Sequence, residues 1–311
     1  MPKNRDRRAH WWRTATVAAF AVAVSTGCSP AAAPPADDRP LVLTTFTVLA
    51  DIAQNVAGDH LRVESITKVG AEIHGYEPTP SDIIAASQAD LVLENGLNLE
   101  AWFERFIDAA QVPHVVVSEG IDVIDITGDA VAGTPNPHAW MSPLNVMHYA
   151  TVMAAAFSEL APEHAEEFSA NAAAYAVELQ IVHEHLTAAL AELDSTQRAL
   201  VTCEGAFSYL ARDAGLTEHY LWPVNAEQQA TPRQIAGIIE FVRDNDIPAV
   251  FCESTVSDSA MQQVVDATGA IFGGTLYVDS LSEPEGPVPT YLDLIRYDTE
   301  LIIIGLTGRS P

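Results

Sequence analysis

The sequence predicts an α/β protein made of two doubly wound lobes with one long helix between them. Short apolar runs alternate with amphipathic stretches on both sides of a central segment, and this alternation is typical of βαβ units. The central segment, residues 162–194, is rich in Ala, Glu and Leu and has no Pro or Gly after its first residue. It therefore predicts one continuous helix between a lobe at residues 40–161 and a lobe at residues 195–311.

The composition supports a folded chain and excludes several classes of protein. Apolar residues make up 48% and charged residues 18% of the 311 residues, close to the globular average, which excludes a largely disordered chain. The formal net charge of −27 argues against nucleic acid as a partner. Three cysteines are too few for a disulfide framework or a cysteine-rich zinc module.

The first 27 residues have the pattern of an export signal. Five basic residues and one acid precede an apolar run at residues 15–24, which is too short for a transmembrane helix of roughly 20 residues. The small residues before Cys28 resemble a bacterial lipobox, in which a peptidase cuts before the cysteine and a diacylglyceryl group is attached to its sulfur. We expect a signal peptide over residues 1–27, a lipid on Cys28 and a flexible tether over residues 28–39. The alternative is a secreted protein with a chance cysteine at this position.

In the N-terminal lobe, turn and cap residues divide the chain into successive elements. Gly58 ends the first helix, and Pro80, Ser81 and Asp82 open the second. The predicted strands are residues 41–45, 61–66, 90–94 and 114–117, and the predicted helices are residues 48–57, a helix from residue 80, and residues 99–109.

In the C-terminal lobe, the same alternation resumes after the long helix. The predicted strands are residues 199–203, 249–252, 271–275 and 301–304. The helix before them, at about 1.5 Å per residue, reaches nearly 48 Å and is long enough to span two lobes. The sequence has no internal repeat and no glycine loop with phosphate-binding spacing, which disfavours a nucleotide enzyme.

Two of the ten histidines have distinctive surroundings. His74 and His138 each lie between a predicted strand and a predicted helix, where ligands bind in doubly wound sheets. For either residue alone, a loop histidine with ordinary hydrogen bonds remains the alternative. We assign the other histidines to the signal, to polar turns, to solvated helix faces or to packing.

Two carboxylates occupy matching positions in the second lobe. Glu204 follows the predicted strand at residues 199–203, and Asp279 follows the strand that begins near residue 271. Two neutral imidazoles and two carboxylates balance the charge of a divalent cation. Because a carboxylate can bind through two oxygens, this set allows four to six coordinating contacts.

The segments around these four residues resemble the signature blocks of the zinc/manganese family of ABC-transporter solute-binding proteins. The blocks are HGYEPTPSD at 74–82, NPHAWMSP at 136–143, CEGAFSYL at 203–210 and YVDSLS at 277–282. The resemblance covers nearly all of residues 40–305. It implies metal ligands at His74, His138, Glu204 and Asp279.

The resemblance also implies how such a protein works. A rigid helix joins the two lobes, the metal is held between them, and the protein delivers it to a membrane permease driven by a cytoplasmic ATPase. We accordingly expect a monomer without catalytic activity, lipid-anchored at the outer face of the cytoplasmic membrane. Rival functions are a metallohydrolase using the same four residues and a surface adhesin, although compact motifs such as His-Glu-x-x-His are absent from the sequence.

The resemblance favours manganese as the cargo, with zinc or iron as alternatives. Zinc members commonly carry histidine at the third ligand position and a long His-rich acidic loop, whereas this chain has Glu204 and no such loop. Residues 222–232 also resemble the manganese and iron branch. Zinc normally binds nitrogen and oxygen ligands more tightly than manganese, so ligand types alone do not name the cargo. Cys203 and Cys252 depart from the family pattern, and they form either a disulfide or two buried thiols.

Overall fold

The structure, a computed structural model, describes residues 37–103, 111–128, 131–224 and 230–309. The predicted signal peptide, Cys28 and most of the predicted tether lie outside the described residues, as do residues 104–109 of the third predicted helix. Within the part of the chain that the structure describes, no helix combines the length and apolar character needed to cross a bilayer.

The N-terminal part of the described chain is built on four parallel strands. The elements are β1 (Leu41–Thr44), α1 (Thr47–Ala57), β2 (Arg62–Ser65), α2 (Pro80–Gln88), β3 (Leu91–Glu94), β4 (His114–Val116) and α3 (Pro143–Leu160). The order of the strands in the sheet is β2-β1-β3-β4. The two central strands, β1 and β3, are buried along their whole length, as expected for strands covered on both faces. The four predicted strands and the predicted helices at residues 48–57 and from residue 80 are confirmed to within a residue or two. Of the predicted helix at residues 99–109, the described residues 99–103 form turns.

The predicted long helix is present but starts later than expected. A 3-10 turn at Pro162–His164 precedes α4, which runs over Ala165–Leu190 and is about 39 Å long. Its buried residues recur every three or four positions and form one apolar stripe: Phe168, Ala172, Tyr175, Leu179, Val182, Leu186 and Leu190. This stripe packs on α1 and α3 and also on the last helix of the chain, so α4 contacts both halves of the fold.

The elements of the C-terminal part are β5 (Ala199–Glu204), α5 (Ser208–Ala214), β6 (Thr217–Trp222), α6 (Pro232–Asp244), β7 (Ala249–Glu253), α7 (Ser259–Thr268), β8 (Ile271–Leu276) and α8 (Tyr291–Thr307). The strands form two parallel two-stranded ladders, β5-β6 and β7-β8. A disulfide joins Cys203 on β5 to Cys252 on β7, with their Cα atoms 4.9 Å apart. Of the two alternatives for these cysteines, the structure has the disulfide, and it links the two ladders.

One predicted strand is wrong, and one strand was not predicted. Residues 301–304, a run of Leu and Ile, lie inside helix α8 rather than in a strand. The helix is fixed at its ends, since the Thr290 hydroxyl accepts the Asp293 N–H and Gly308 has a φ of +66°. Tertiary packing of its apolar face thus overrides the strand preference of the Ile run. Strand β6 was missed because four of its six residues are not buried and give no apolar alternation.

Helix α8 lies very close to strand β7 at Gly305. A Cβ at this position would lie 2.6 Å from Cζ of Phe251 and 3.0 Å from Cβ of Ala249, both on β7. The close approach therefore requires the absence of a side chain.

We predict that Gly305→Ala lowers the free energy of unfolding by about 1–3 kcal/mol through overpacking. The matched control is Gly237→Ala on α6, where nothing lies within 4 Å of the added Cβ. There alanine should stabilise the helix by about 0.5–1 kcal/mol. Urea unfolding of both variants checks this, and a Gly305→Ala protein as stable as wild type would contradict the close packing.

Candidate metal site

The structure brings the four predicted ligand residues to one buried point. Their side chains are 0–7% exposed. Nε2 of His74 lies 3.0 Å from Nε2 of His138, 3.7 Å from Oε1 of Glu204 and 3.8 Å from Oδ1 of Asp279. Nε2 of His138 lies 3.8 Å and 4.0 Å from the same two carboxylate oxygens. Two nitrogens and two oxygens therefore surround a common centre.

His74 is positioned by the loop between β2 and α2. The carboxylate of Glu72 accepts the backbone N–H groups of His74 and Gly75, at 2.8 and 2.9 Å, and so closes a tight turn around the imidazole. The loop then ends at the N-cap of α2, where Thr79 and Asp82 form a capping box. Glu72 also has an oxygen within 4.8 Å of ligand atoms of His74 and Asp279. Glu72 is not predicted from the sequence, where its only distinguishing feature is its place two residues before His74.

Asn136 fixes the orientation of His138. Its Oδ1 accepts the backbone N–H of His138 at 3.0 Å and lies 2.9 Å from the imidazole Nδ1. Its Nδ2 donates to the carbonyl of Gly205 at 2.7 Å, which identifies Oδ1 as the acceptor facing the histidine. Nδ1 of His138 must then carry the proton, and Nε2 presents a lone pair to the centre of the site.

Burial disfavours charge on the ligands. Desolvation, with His74 as a second cause, holds the pKa of His138 well below its ordinary value, so this imidazole is neutral at physiological pH. Desolvation also raises the pKa of Asp279, an effect that the nearby His74 opposes. Among the described residues, the buried Oδ1 of Asp279 has no hydrogen-bond partner. A buried acceptor of this kind, facing two imidazole nitrogens, is suited to a cation.

The two carboxylates are held by a shared support at the end of β7. The N–H of Glu204 donates to Oε2 of Glu253 at 3.1 Å, and the hydroxyl of Thr255 donates to Oδ2 of Asp279 at 3.2 Å. The Cys203–Cys252 disulfide lies one residue before both glutamates. Because the two ligands are on different ladders, this support sets the distance between them. The sequence did not point to Glu253 or Thr255, which carry no motif of their own.

Hydrogen bonds from the N-terminal half reach both ligand loops of the C-terminal half. Nε1 of Trp140 donates to the carbonyl of Val278 at 3.0 Å, directly before Asp279. The backbone N–H of Gly70 donates to Oγ of Ser280 at 2.6 Å, directly after it. Together with the bond from Asn136 to Gly205, these contacts fix the two halves of the site against each other.

Three other histidines lie outside this site and have partners of their own. Nε2 of His148 lies 2.7 Å from the carbonyl of Glu119, and Nε2 of His185 lies 2.7 Å from Oε1 of Glu300. His219 stacks on Phe241.

Comparison with known proteins gives one consistent family. A family model described as "ZnuA: Zinc-uptake complex component A periplasmic" matches residues 42–304. The chain is 49% identical to the "Iron-binding protein YfeA" of Yersinia pestis over 292 residues, covering 93% of this chain and 94% of that protein. It is 34% identical to the "Manganese-binding lipoprotein MntA" of Halalkalibacterium halodurans over 268 residues, covering 86% and 88% of the two chains.

A solved structure has the same fold. The manganese-bound periplasmic metal binding protein of candidatus Liberibacter asiaticus superimposes with a TM-score of 0.80 at 37% sequence identity. The match covers 86% of this chain and all of that chain. The predicted α/β fold class is confirmed by this likeness.

We predict that Asn136→Ala weakens metal binding about 10- to 100-fold, because the His138 ring loses the acceptor that fixes its tautomer and orientation. The matched control is Ser208→Ala, which removes the other side-chain partner of Asn136, 3.1 Å from its Nδ2, and leaves the contact with His138. Its affinity should change much less. Competition titration with a chromophoric chelator measures both. Wild-type affinity in a folded Asn136→Ala protein would contradict this role.

Proposed function

Since the chain belongs to the ZnuA family of periplasmic metal-uptake components, we propose that it captures a divalent transition metal outside the cytoplasm for an ABC transporter. In this role it hands the ion to a membrane permease, which a cytoplasmic ATPase drives. The observation that carries the proposal is the convergence of His74, His138, Glu204 and Asp279 on one buried centre. The ion is the cargo of the protein, and no chemical step is required of these residues.

The spacing of the ligand atoms supports a single ion. Ligands bound about 2.1 Å from a metal at angles of 90–110° lie about 3.0–3.4 Å apart. The two imidazole nitrogens, 3.0 Å apart, already have this spacing. The nitrogen-to-oxygen distances of 3.7–4.0 Å need to close by about 0.3–1.0 Å to reach it.

We propose manganese as the cargo, with zinc and iron as the alternatives. Glu204 and Asp279 make half of the ligand set carboxylate, and carboxylates suit a harder ion that accepts more than four contacts. The relatives are named for different metals, iron for YfeA and manganese for MntA, and the family for zinc. Because zinc binds such ligands more tightly than manganese in solution, selective transport of manganese depends on how the metal sets the arrangement of the two halves.

The same burial weighs against a metallohydrolase. Catalytic metal sites keep a position open to water or substrate, whereas the four side chains here are 0–7% exposed and face one another. The relatives described above are named as metal-binding and metal-uptake proteins.

We predict that Glu204→His shifts the ratio of manganese to zinc affinity at least about 10-fold toward zinc, because a third imidazole makes the set softer and closer to a tetrahedral zinc site. Asp279→Ala should weaken the binding of both metals. His185→Ala, an exposed imidazole outside the site, serves as the control and should change neither. Parallel competition titrations measure the ratio. An unchanged ratio in Glu204→His would overturn the manganese assignment.

We also propose that a lipid on Cys28 anchors the mature protein at the outer face of the cytoplasmic membrane and that it works as a monomer. The sulfur of Cys28 is the acceptor that the lipobox pattern requires, and MntA is named a lipoprotein.

We predict that Cys28→Ser releases the protein from membranes or leaves it unprocessed, since serine offers no sulfur for the thioether. Ser29→Ala is the matched control and should behave as wild type. Fractionation of cells followed by mass spectrometry of the N-terminus measures both outcomes. A Cys28→Ser protein that is mature and membrane-bound would show that the anchor lies elsewhere.

A further inference from the structure

A second group of metal-ligating side chains lies outside the candidate metal site. One ligand atom from each of His60, His164 and Glu167 lies within 4.8 Å of the other two. His60 is in the turn between α1 and β2, His164 ends the 3-10 turn before α4, and Glu167 is in the first turn of α4. We refer to these three residues as the α1–α4 cluster.

The two imidazoles of the cluster are held together by packing. Their rings stack with centroids 3.8 Å apart and planes 21° apart. The edge of Phe168 meets both rings, at centroid distances of 5.9 and 6.2 Å. Nδ1 of His164 is buried and has no hydrogen-bond partner among the described residues. A buried imidazole nitrogen without a partner is an exception that a water molecule or an ion would satisfy.

The turn that carries His60 is also fixed. The guanidinium of Arg39 donates to the carbonyls on either side of this histidine, at 3.1 Å to Asp59 and 3.5 Å to Leu61. The position of His60 is therefore set before any ligand arrives, which lowers the ordering cost of binding.

The cluster is separate from the candidate metal site. Helix α1 begins beside that site, since the hydroxyl of Thr47 accepts the N–H of Leu281, two residues after Asp279. The helix has 11 residues and is about 16 Å long, and His60 lies three residues beyond its other end. The α1–α4 cluster is thus at the far end of α1.

The remaining groups of potential ligands among the described residues are accounted for. Two of them contain His74 and belong to the candidate metal site. The third contains Cys203 and Cys252, whose sulfurs are joined in the disulfide and are not thiolate ligands. The α1–α4 cluster is left without a role.

We propose that His60, His164 and Glu167 form a peripheral binding site for a divalent transition metal of the zinc type. Two imidazoles and one carboxylate are a common protein ligand set for zinc, with the remaining position filled by water. The acidic chain, with a net charge of −27, favours a cation over an anion. Zinc ligands lie about 3.3 Å apart and point at one ion, so the backbone of the turn stays in place while the stacked imidazoles turn out of their stack. The exposed Glu167 side chain rotates toward them.

The proposed site has fewer protein ligands than the candidate metal site and is more exposed, so it binds zinc more weakly. The mature protein then takes up two equivalents of zinc, a tight one and a weaker one. The weaker equivalent does not depend on the cargo assignment of the tight one, because none of its ligands is shared.

Isothermal titration of the metal-free mature protein with zinc chloride tests this. Wild type should bind two equivalents, and His60→Ala/His164→Ala should bind only the tight one with unchanged affinity. Glu167→Gln should weaken the second equivalent about 10-fold, whereas its neighbour Glu166→Gln, also exposed, should not. His138→Ala should impair the tight equivalent and keep the weaker one.

Several results would overturn the proposal. Binding of a single equivalent by wild type, or two equivalents by His60→Ala/His164→Ala, would remove the cluster as a site. The cluster would also be removed as a site if Glu167→Gln and Glu166→Gln bound the second equivalent of zinc with equal affinity. The two glutamine variants change one exposed group each, so they keep the test decisive even if the double alanine variant loses its fold.

Discussion

The constraint on which the structure depends is the cost of placing two carboxylates and two imidazoles together away from water. Burial raises the pKa of Asp279 and lowers that of His138, so without an ion burial shifts both groups toward their uncharged forms. A divalent cation changes this balance, because two anionic oxygens and two neutral nitrogens then become its ligands. Burial of these four groups is therefore costly without an ion, and their charges make the site specific for a cation.

The fold separates the ligands in sequence and joins them in space. His74 lies in the loop after β2, and His138 lies in the long segment between β4 and α3. Glu204 is the last residue of β5 and Asp279 comes three residues after β8, so these two belong to different ladders. Hydrogen bonds of neighbouring residues, above all those of Asn136, connect the loops. Helix α4 packs on both halves of the fold. The loops are therefore positioned on one common support and are not separated by a long hinge. Under the proposed function, release of the ion to a permease requires the bonds that cross between the halves to break.

The sequence was sufficient for those features that local patterns determine. Apolar runs between turn residues predicted the strands of the N-terminal sheet, and the absence of Pro and Gly predicted α4. The four ligand candidates were found because they lie in distinctive motifs at strand ends, and the structure brings them together. The run at residues 301–304 was misassigned because four apolar residues satisfy a strand and a buried helix equally. Glu253 and Thr255 were missed because their contacts with Glu204 and Asp279 span 49 and 24 residues, which no local pattern contains. Asn136 lies two residues before His138 in the motif at residues 136–143, but its hydrogen bond to Gly205, 69 residues away, is visible only in the fold.

The most direct measurement is a crystal structure of the mature protein grown with manganese, with anomalous diffraction recorded on both sides of the manganese edge. We expect a manganese peak bound by Nε2 of His74, Nε2 of His138 and carboxylate oxygens of Glu204 and Asp279, at distances of about 2.0–2.3 Å. A manganese ion bound elsewhere, or one that leaves any of these four side chains outside its coordination sphere, would contradict it.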